Sequence, residues 1–126
     1  MPLVRIDLRK GKAAPYRQAL CNAVYQALRE TFNVPDEDRF FIVNEHGADD
    51  FQFSKSYLGI ARSDDLVIIQ MTVSDTRTRE QKMALFKRTA DLLAENPGLR
   101  REDVFISLVE VKTDDWSFGN GVAQYV

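Results

Sequence analysis

Met1-Pro2 opens this chain, and a strand-like run, Leu3 to Leu8, follows at once. Initiator methionine is commonly removed when the second residue is small, and proline qualifies. Removal leaves Pro2 with a free secondary amine, the one amine nucleophile or base a protein makes without a flexible side chain. An α-amino group titrates at about 7.7–8.0, so near neutral pH such a group can serve as acid or base. A chain terminus ordinarily frays, but an amine seated directly on an apolar strand would be held rigidly by the core. A retained Met1 would lock that nitrogen in a peptide bond, and Pro2 would then simply open a strand. A second grouping, His46 with Asp49-Asp50, invites a metal reading. With one histidine in the chain and a spacing that fits no metal site, His46 reads instead as a hydrogen-bonded structural residue. Cys21 is the only cysteine, so neither a disulfide framework nor a cysteine metal site is expected.

The elements that would position Pro2 follow from periodicity. Val4, Ile6 and Leu8 alternate against Arg5 and Asp7, the pattern of a half-buried strand. Gly11 and Pro15 break it. Ala19, Leu20, Ala23, Val24, Ala27, Leu28 and Phe32 then form one stripe of a helix over Tyr16 to Phe32. Arg39 to Glu45 reads as a second strand, with a short strand around Phe51 to Phe53. Leu66 to Val73 is apolar on both faces, as in a central strand. Thr78 and Gln81 have capping-box spacing and start a second helix, which Pro97-Gly98 ends. Val104 to Val111 is a further strand. The tail turns through Trp116 to Gly121, and Val122 to Val126 reads as a last short strand. Trp116 and Phe118, beside Gly119 and Gly121, form a hairpin that either packs across a subunit boundary or walls a pocket.

The chain also repeats itself. Shifted by 65 residues, Ala19 meets Ala84, Leu28 meets Leu93, Glu37-Asp38 meets Glu102-Asp103, and Phe40 meets Phe105. The chain is therefore read as one α/β (α+β) domain over residues 1–126. It holds tandem βαβ units at about 2–46 and 66–111 and a C-terminal hairpin at 112–126. Crossover helices make each strand pair parallel, and right-handed crossovers put both helices on one face of a four-stranded mixed sheet. An apolar second face needs covering, which predicts a homo-oligomer. A net charge of −2 gives no electrostatic footprint for nucleic acid or a membrane surface. No apolar run has the length of a membrane span, so a cytoplasmic protein is the expectation.

Several motifs fall at places matching one family: Pro2-Leu3, Val34-Pro35 with Asp38-Arg39-Phe40, His46, Gly59 with Arg62-Ser63, Arg77-Thr78, Asp103-Val104, and Asp115-Trp116-Ser117-Phe118-Gly119. Across essentially its whole length the chain resembles the tautomerase superfamily, and within it malonate semialdehyde decarboxylase and its relatives. That resemblance implies a homotrimer, no cofactor, and a site centred on the N-terminal proline. Pro2 matches the catalytic proline, Asp38 the carboxylate that assists it or activates water, and Arg77 an arginine that binds a substrate carboxylate or polarises its carbonyl. One departure stands out. Asp75 occupies a position where such decarboxylases often carry a second arginine, and Arg79, on the first helical turn, is the candidate substitute.

Physical chemistry leaves the reaction open among three. Arg77 close by would make Pro2 a base for keto–enol tautomerisation, whereas Asp38 close by would keep it protonated. An ammonium with a guanidinium would stabilise the enolate formed when a 3-oxo acid loses carbon dioxide. With Asp38 as base, water could add to an unsaturated acid. The resemblance ranks decarboxylation of malonate semialdehyde or a similar 3-oxo acid first. Asp38 also reads as a turn former, and Arg77 as a solvated residue ahead of a helix. Two non-enzymatic alternatives remain: a ferredoxin-like ligand-binding module, and an interaction protein of tautomerase fold without chemistry.

Overall fold

The computed structural model describes residues 1–126. Its strands and longer helices are β1 (Pro2–Arg9), α1 (Ala14–Phe32), β2 (Phe40–His46), β3 (Val67–Ser74), α2 (Arg79–Glu95) and β4 (Val104–Val111). Pro15 starts α1 rather than ending what precedes it, because the fixed φ of proline suits the first turn and its missing N–H is not needed there. At the head of α2, Gln81 N donates to Thr78 Oγ1 at 3.1 Å and Thr78 N donates to Gln81 Oε1 at 2.9 Å, closing the expected capping box.

The sheet order is β2-β1-β3-β4. β1 pairs β2 in parallel, β3 pairs β4 in parallel, and β1 meets β3 antiparallel. Parallel pairing inside each unit excludes the ferredoxin-like arrangement. The two units share one register: Leu3 faces Phe40 and Val67 faces Val104, 37 residues on in each case. Across the centre Arg5 faces Gln70, its own counterpart under the 65-residue shift. An approximate twofold axis therefore passes between those two residues. Side chains obey it as well. Arg17 pairs with Glu45 at 3.4 Å, and 65 residues on Lys82 pairs with Glu110 at 2.8 Å.

The correspondence runs past the strands. Single 3-10 turns at Ala48–Asp50 and Thr113–Asp115 are followed by Phe51-Gln52-Phe53 and Trp116-Ser117-Phe118. Phe51 to Phe53 is not the short strand expected there, and Trp116 to Phe118 runs as irregular chain. Phe51 turns inward and is buried, its ring stacked at 5.7 Å on His46. Beyond Phe118, positive φ values at Gly119, Asn120 and Gly121 bend the backbone back on itself, and Val122 to Val126 form no ladder. Gln124 closes this reversal through its side chain, accepting from Phe118 N and donating to Gly119 O, both at 2.9 Å.

Both helices cover one sheet face. Val4, Ile6, Ile69, Met71, Leu20, Leu28, Leu85 and Leu93 are completely buried between them. The other face is open, and its apolar surface lies mainly on the edge strands rather than on β3. Phe40, Ile42, Phe105 and Val109 are between 39% and 48% exposed, while Gln70 interrupts β3 on that side.

One core position breaks the repeat. Thr89 is fully buried and its hydroxyl finds no hydrogen-bond partner, where the first half carries Val24. A buried hydroxyl without a partner is destabilising. Thr89→Val should raise stability by about 1 kcal/mol, or roughly 4 °C in Tm, in a thermal melt; an unchanged or lower Tm would mean the hydroxyl is satisfied in solution.

Candidate active site

Pro2 is buried as the first residue of β1, opposite Val73 on β3. Proline is tolerated there because the first strand residue need not donate to the ladder. Pro2 and Leu3 form the floor of a cleft of about 220 Å³, walled by Phe40, Trp116 and Phe118. Trp116 is set in place by its indole N–H, which donates to Ser74 Oγ at 3.1 Å. Its ring stacks on Phe118 at 5.3 Å, and Tyr125 meets Phe118 edge-on at 4.9 Å. The hairpin thus walls the pocket of its own chain.

Met1 lines the same cleft. Burial lowers the pKa of its ammonium from the usual α-amino value, the Arg77 guanidinium lowers it further, and Asp38 opposes both. These three charges therefore act on one another at the chain terminus, although neither Asp38 nor Arg77 is part of the cleft wall. Loss of Met1 would move the free nitrogen one residue inward, to Pro2.

Asp38 follows a turn in which its N–H donates to Asp36 O at 2.8 Å and Pro35 O at 3.2 Å. Glu37 takes the left-handed conformation, φ 72°, an unusual state for a residue with a side chain. Asp38 Oδ1 is buried without a hydrogen-bond partner. Burial raises its pKa, offset in part by the terminal ammonium and then by Arg77. Its counterpart Asp103 is a different case. Asp103 is fully buried, accepts from Ser63 N at 2.7 Å and Ser63 Oγ at 2.6 Å, and lies 3.6 Å from the Arg100 guanidinium. Asp103 thus has a structural tie, to Ser63 and Arg100, that Asp38 lacks.

Arg77 sits between β3 and α2. Its Nη2 donates to Phe32 O at 2.9 Å, Nη1 donates to Thr76 Oγ1 at 3.2 Å, and the guanidinium lies 5.0 Å from the Phe32 ring centroid. The carbonyl end of α1 welcomes a cation, so Arg77 is anchored while part of its donor fork remains free. Arg79 is exposed on the first turn of α2 and lies outside the cleft wall. Asp75 is exposed, and its N–H continues the ladder by donating to Val111 O at 2.8 Å. His46 bonds Asp7 at 2.6 Å on the open face, away from Pro2. A larger groove of about 470 Å³ lies between α1 and β2, lined by Arg17, Cys21, Arg39 and Phe41. It holds neither terminus nor unpaired carboxylate, so the smaller cleft is the better candidate.

Sequence reasoning missed Phe40, Leu3 and Ser74 as cleft and support residues. A signal existed for the first two, since they are neighbours once β1 and β2 pair in parallel.

A buried proline at position two, set at one end of a doubled βαβ sheet beside a carboxylate and a guanidinium, defines an enzyme of the tautomerase type. The chain belongs to the tautomerase family. A model described as "Tautomerase enzyme" matches residues 38–119, and a second of that description matches residues 2–61. Within the superfamily the chain falls in the malonate semialdehyde decarboxylase-like branch. It is 39% identical to the probable tautomerase YusQ of Bacillus subtilis, over all of this chain and 99% of that one. The solved structure of FG41 malonate semialdehyde decarboxylase, inhibited by 3-bromopropiolate, is 39% identical with a TM-score of 0.92, over 98% of this chain and 93% of that one. Another malonate semialdehyde decarboxylase, described for its decarboxylase and hydratase activities, is 31% identical with a TM-score of 0.91, over 98% and 95%.

The two aspartates should separate on mutation. A carboxyl whose folded pKa is raised penalises folding once pH climbs above the ordinary carboxylate range. Asp38→Asn should therefore melt no lower than the parent at pH 7, with any gain disappearing near pH 3. Asp103→Ala should lose about 3 kcal/mol, through its bonds to Ser63 and its pairing with Arg100. A large loss in Asp38→Asn, measured by denaturant titration, would return Asp38 to a structural role.

Proposed function

We propose that the protein is a cofactor-free enzyme that decarboxylates a small 3-oxo acid, malonate semialdehyde or a close analogue, using the imino nitrogen of Pro2. The observation that carries this reading is the terminal charge set, in which the Met1 ammonium, Asp38 and Arg77 act on one another next to Pro2, the residue that takes over the free nitrogen once Met1 is removed. Arg77 receives the substrate carboxylate on its free donors. The protonated Pro2 nitrogen donates to the 3-oxo oxygen and stabilises the enolate as carbon dioxide leaves. Asp38 supports the charged form of the amine, and Trp116 and Phe118 shield the reacting carbon from water. Arg79 has no assigned part, because it faces solvent.

Enol–keto tautomerisation is the second reading, favoured by the burial and the Arg77 charge that lower the pKa of the Met1 ammonium next to Pro2. A neutral amine is a base, and a base is what that reaction needs. Three copies of the chain complete the proposal, with the open sheet face as the subunit boundary. The exposed Phe40, Ile42, Phe105 and Val109 support it, since monomers seldom leave such a surface uncovered.

Opposite pH profiles separate the two reactions. If the protonated amine acts, kcat/KM falls as pH rises through the pKa of the Pro2 amine; if the neutral amine acts, kcat/KM rises there. Intact mass should show Met1 removed in protein from its own cell. Pro2→Ala should lower kcat by about 10²–10⁴-fold with the oligomer unchanged on a sizing column, and Arg77→Ala should chiefly raise KM. Full activity in Pro2→Ala, or a retained Met1 in an active preparation, would remove Pro2 from the chemistry. On the open face, Phe105→Asp should dissociate the assembly.

A further inference from the structure

Asp38 presents a mechanical problem. Its Oδ1 is buried and bonds nothing, so no hydrogen bond to that oxygen fixes the carboxylate. Glu37, just before it, holds a left-handed backbone at φ 72°, a conformation that persists only where the surroundings over-determine it. The constraint must come from the rest of the turn, and both sides of that turn are tied to a single side chain of α1. Asp36 accepts from Arg29 Nη1 at 2.5 Å and from the Tyr25 hydroxyl at 3.5 Å. Beyond Asp38, the Arg39 guanidinium lies 4.7 Å from the Tyr25 ring centroid and donates to Asn22 Oδ1 at 2.5 Å. A planar guanidinium is attracted to an aromatic face, and Arg39 has no carboxylate partner to draw it away.

Tyr25 is itself a fixed anchor. It is half-buried and packs against the core, Phe41 meets its ring edge-on at 6.4 Å, and Arg29 lies 5.8 Å from the same ring. Tyr25, Asn22 and Arg29 all belong to α1, so the arrangement stands on the helix side of the sheet, away from the open face. The second half of the chain lacks it. Under the 65-residue shift, Tyr25, Arg29 and Arg39 become Ala90, Ala94 and Val104. One ion pair, Arg101 with Asp91 at 2.5 Å, ties that turn to α2, and Asp103 is held directly through Ser63. The half whose aspartate is bonded directly has no aromatic anchor, and the half whose aspartate is bare has one.

We propose that Tyr25 is a positioning residue for the Asp38 carboxylate, holding it in place through Asp36 on one side and Arg39 on the other without touching it or the substrate. The effect on turnover rests on the part assigned to Asp38 in the reaction; the effect on the carboxylate itself does not, so the two conclusions can fail separately.

Full-length protein labelled with carbon-13 at its aspartate carboxyls reports the Asp38 titration by NMR, the resonance being assigned by its loss in Asp38→Asn. Burial raises the Asp38 pKa. In Tyr25→Leu the turn relaxes and water reaches the carboxylate, so the midpoint should fall toward the ordinary carboxylate range. The terminal ammonium and Arg77, the charges that act on Asp38, are the same in parent and variant. In oxo-acid turnover kcat should drop by roughly tenfold with KM unchanged. Arg39→Lys, an exposed substitution that keeps the charge and loses the planar stack, should move both readouts the same way. Tyr25→Phe, which keeps the ring, should recover the parent's behaviour. Val24→Ala, which opens the buried face of the same helix and lowers Tm, should move neither readout. A midpoint that falls while kcat stays supports the positioning and removes Asp38 from the reaction. An unmoved midpoint in Tyr25→Leu, or in Arg39→Lys should the leucine variant fail to fold, overturns the proposal, as does the same shift in Val24→Ala.

Discussion

The antiparallel register between β1 and β3 is the constraint on which the site depends. Because Arg5 faces Gln70, Pro2 must face Val73, and the chain leaving β3 must pass the chain terminus. Ser74 then falls where it can hold the Trp116 indole, and Arg77 falls at the carbonyl end of α1. A shift of one residue would turn every alternating side chain to the opposite face, and the buried row of Val4, Ile6, Ile69 and Met71 forbids it. The core thus fixes the register, and the register brings the charged groups together. A terminal nitrogen held by a strand in the middle of a sheet has none of the rotamer freedom of a lysine.

Much of this architecture was legible in the sequence because it rests on periodic burial. The α1 stripe, the Thr78–Gln81 cap and the 65-residue self-similarity all come from spacing alone, and Pro2, Trp116 and Phe118 do share one cleft. The misses have different physical causes. Phe51 to Phe53 alternates like a strand, yet Phe51 turns inward onto His46 and the segment gains no ladder. The tail is bent by three successive positive φ values and held by Gln124, a side-chain device that no period reveals. Phe40 and Leu3 are 37 residues apart in the chain, so their meeting is a fact of pairing. Arg79 is the resemblance's candidate to replace the arginine missing at Asp75, but it lies exposed on the first turn of α2. Glu37's left-handed backbone had no signal in a run of acidic residues.

The two halves show how one scaffold accommodates opposite demands. Asp103 has lost contact with water and gained two hydrogen bonds from Ser63, so it ties the β3 approach to the start of β4. Asp38 stands at the equivalent position with a buried oxygen that nothing bonds. A group in that state destabilises the fold and keeps its reactivity. Because each half is built on its own crossover, the second can be rigid while the first retains an unsatisfied carboxylate. The family's small-acid chemistry, on this view, requires only one of the two ends of the sheet.

The wall around Met1 carries a practical corollary. Trp116 and Phe118 wall the cleft that receives the first residues. On the proposed mechanism, an affinity handle fused to the amino end would convert the Pro2 nitrogen into an amide and remove the group that handles the proton. An activity inventory built on such fusions would then miss the proposed chemistry, which a carboxyl-terminal or cleavable handle leaves open to assay.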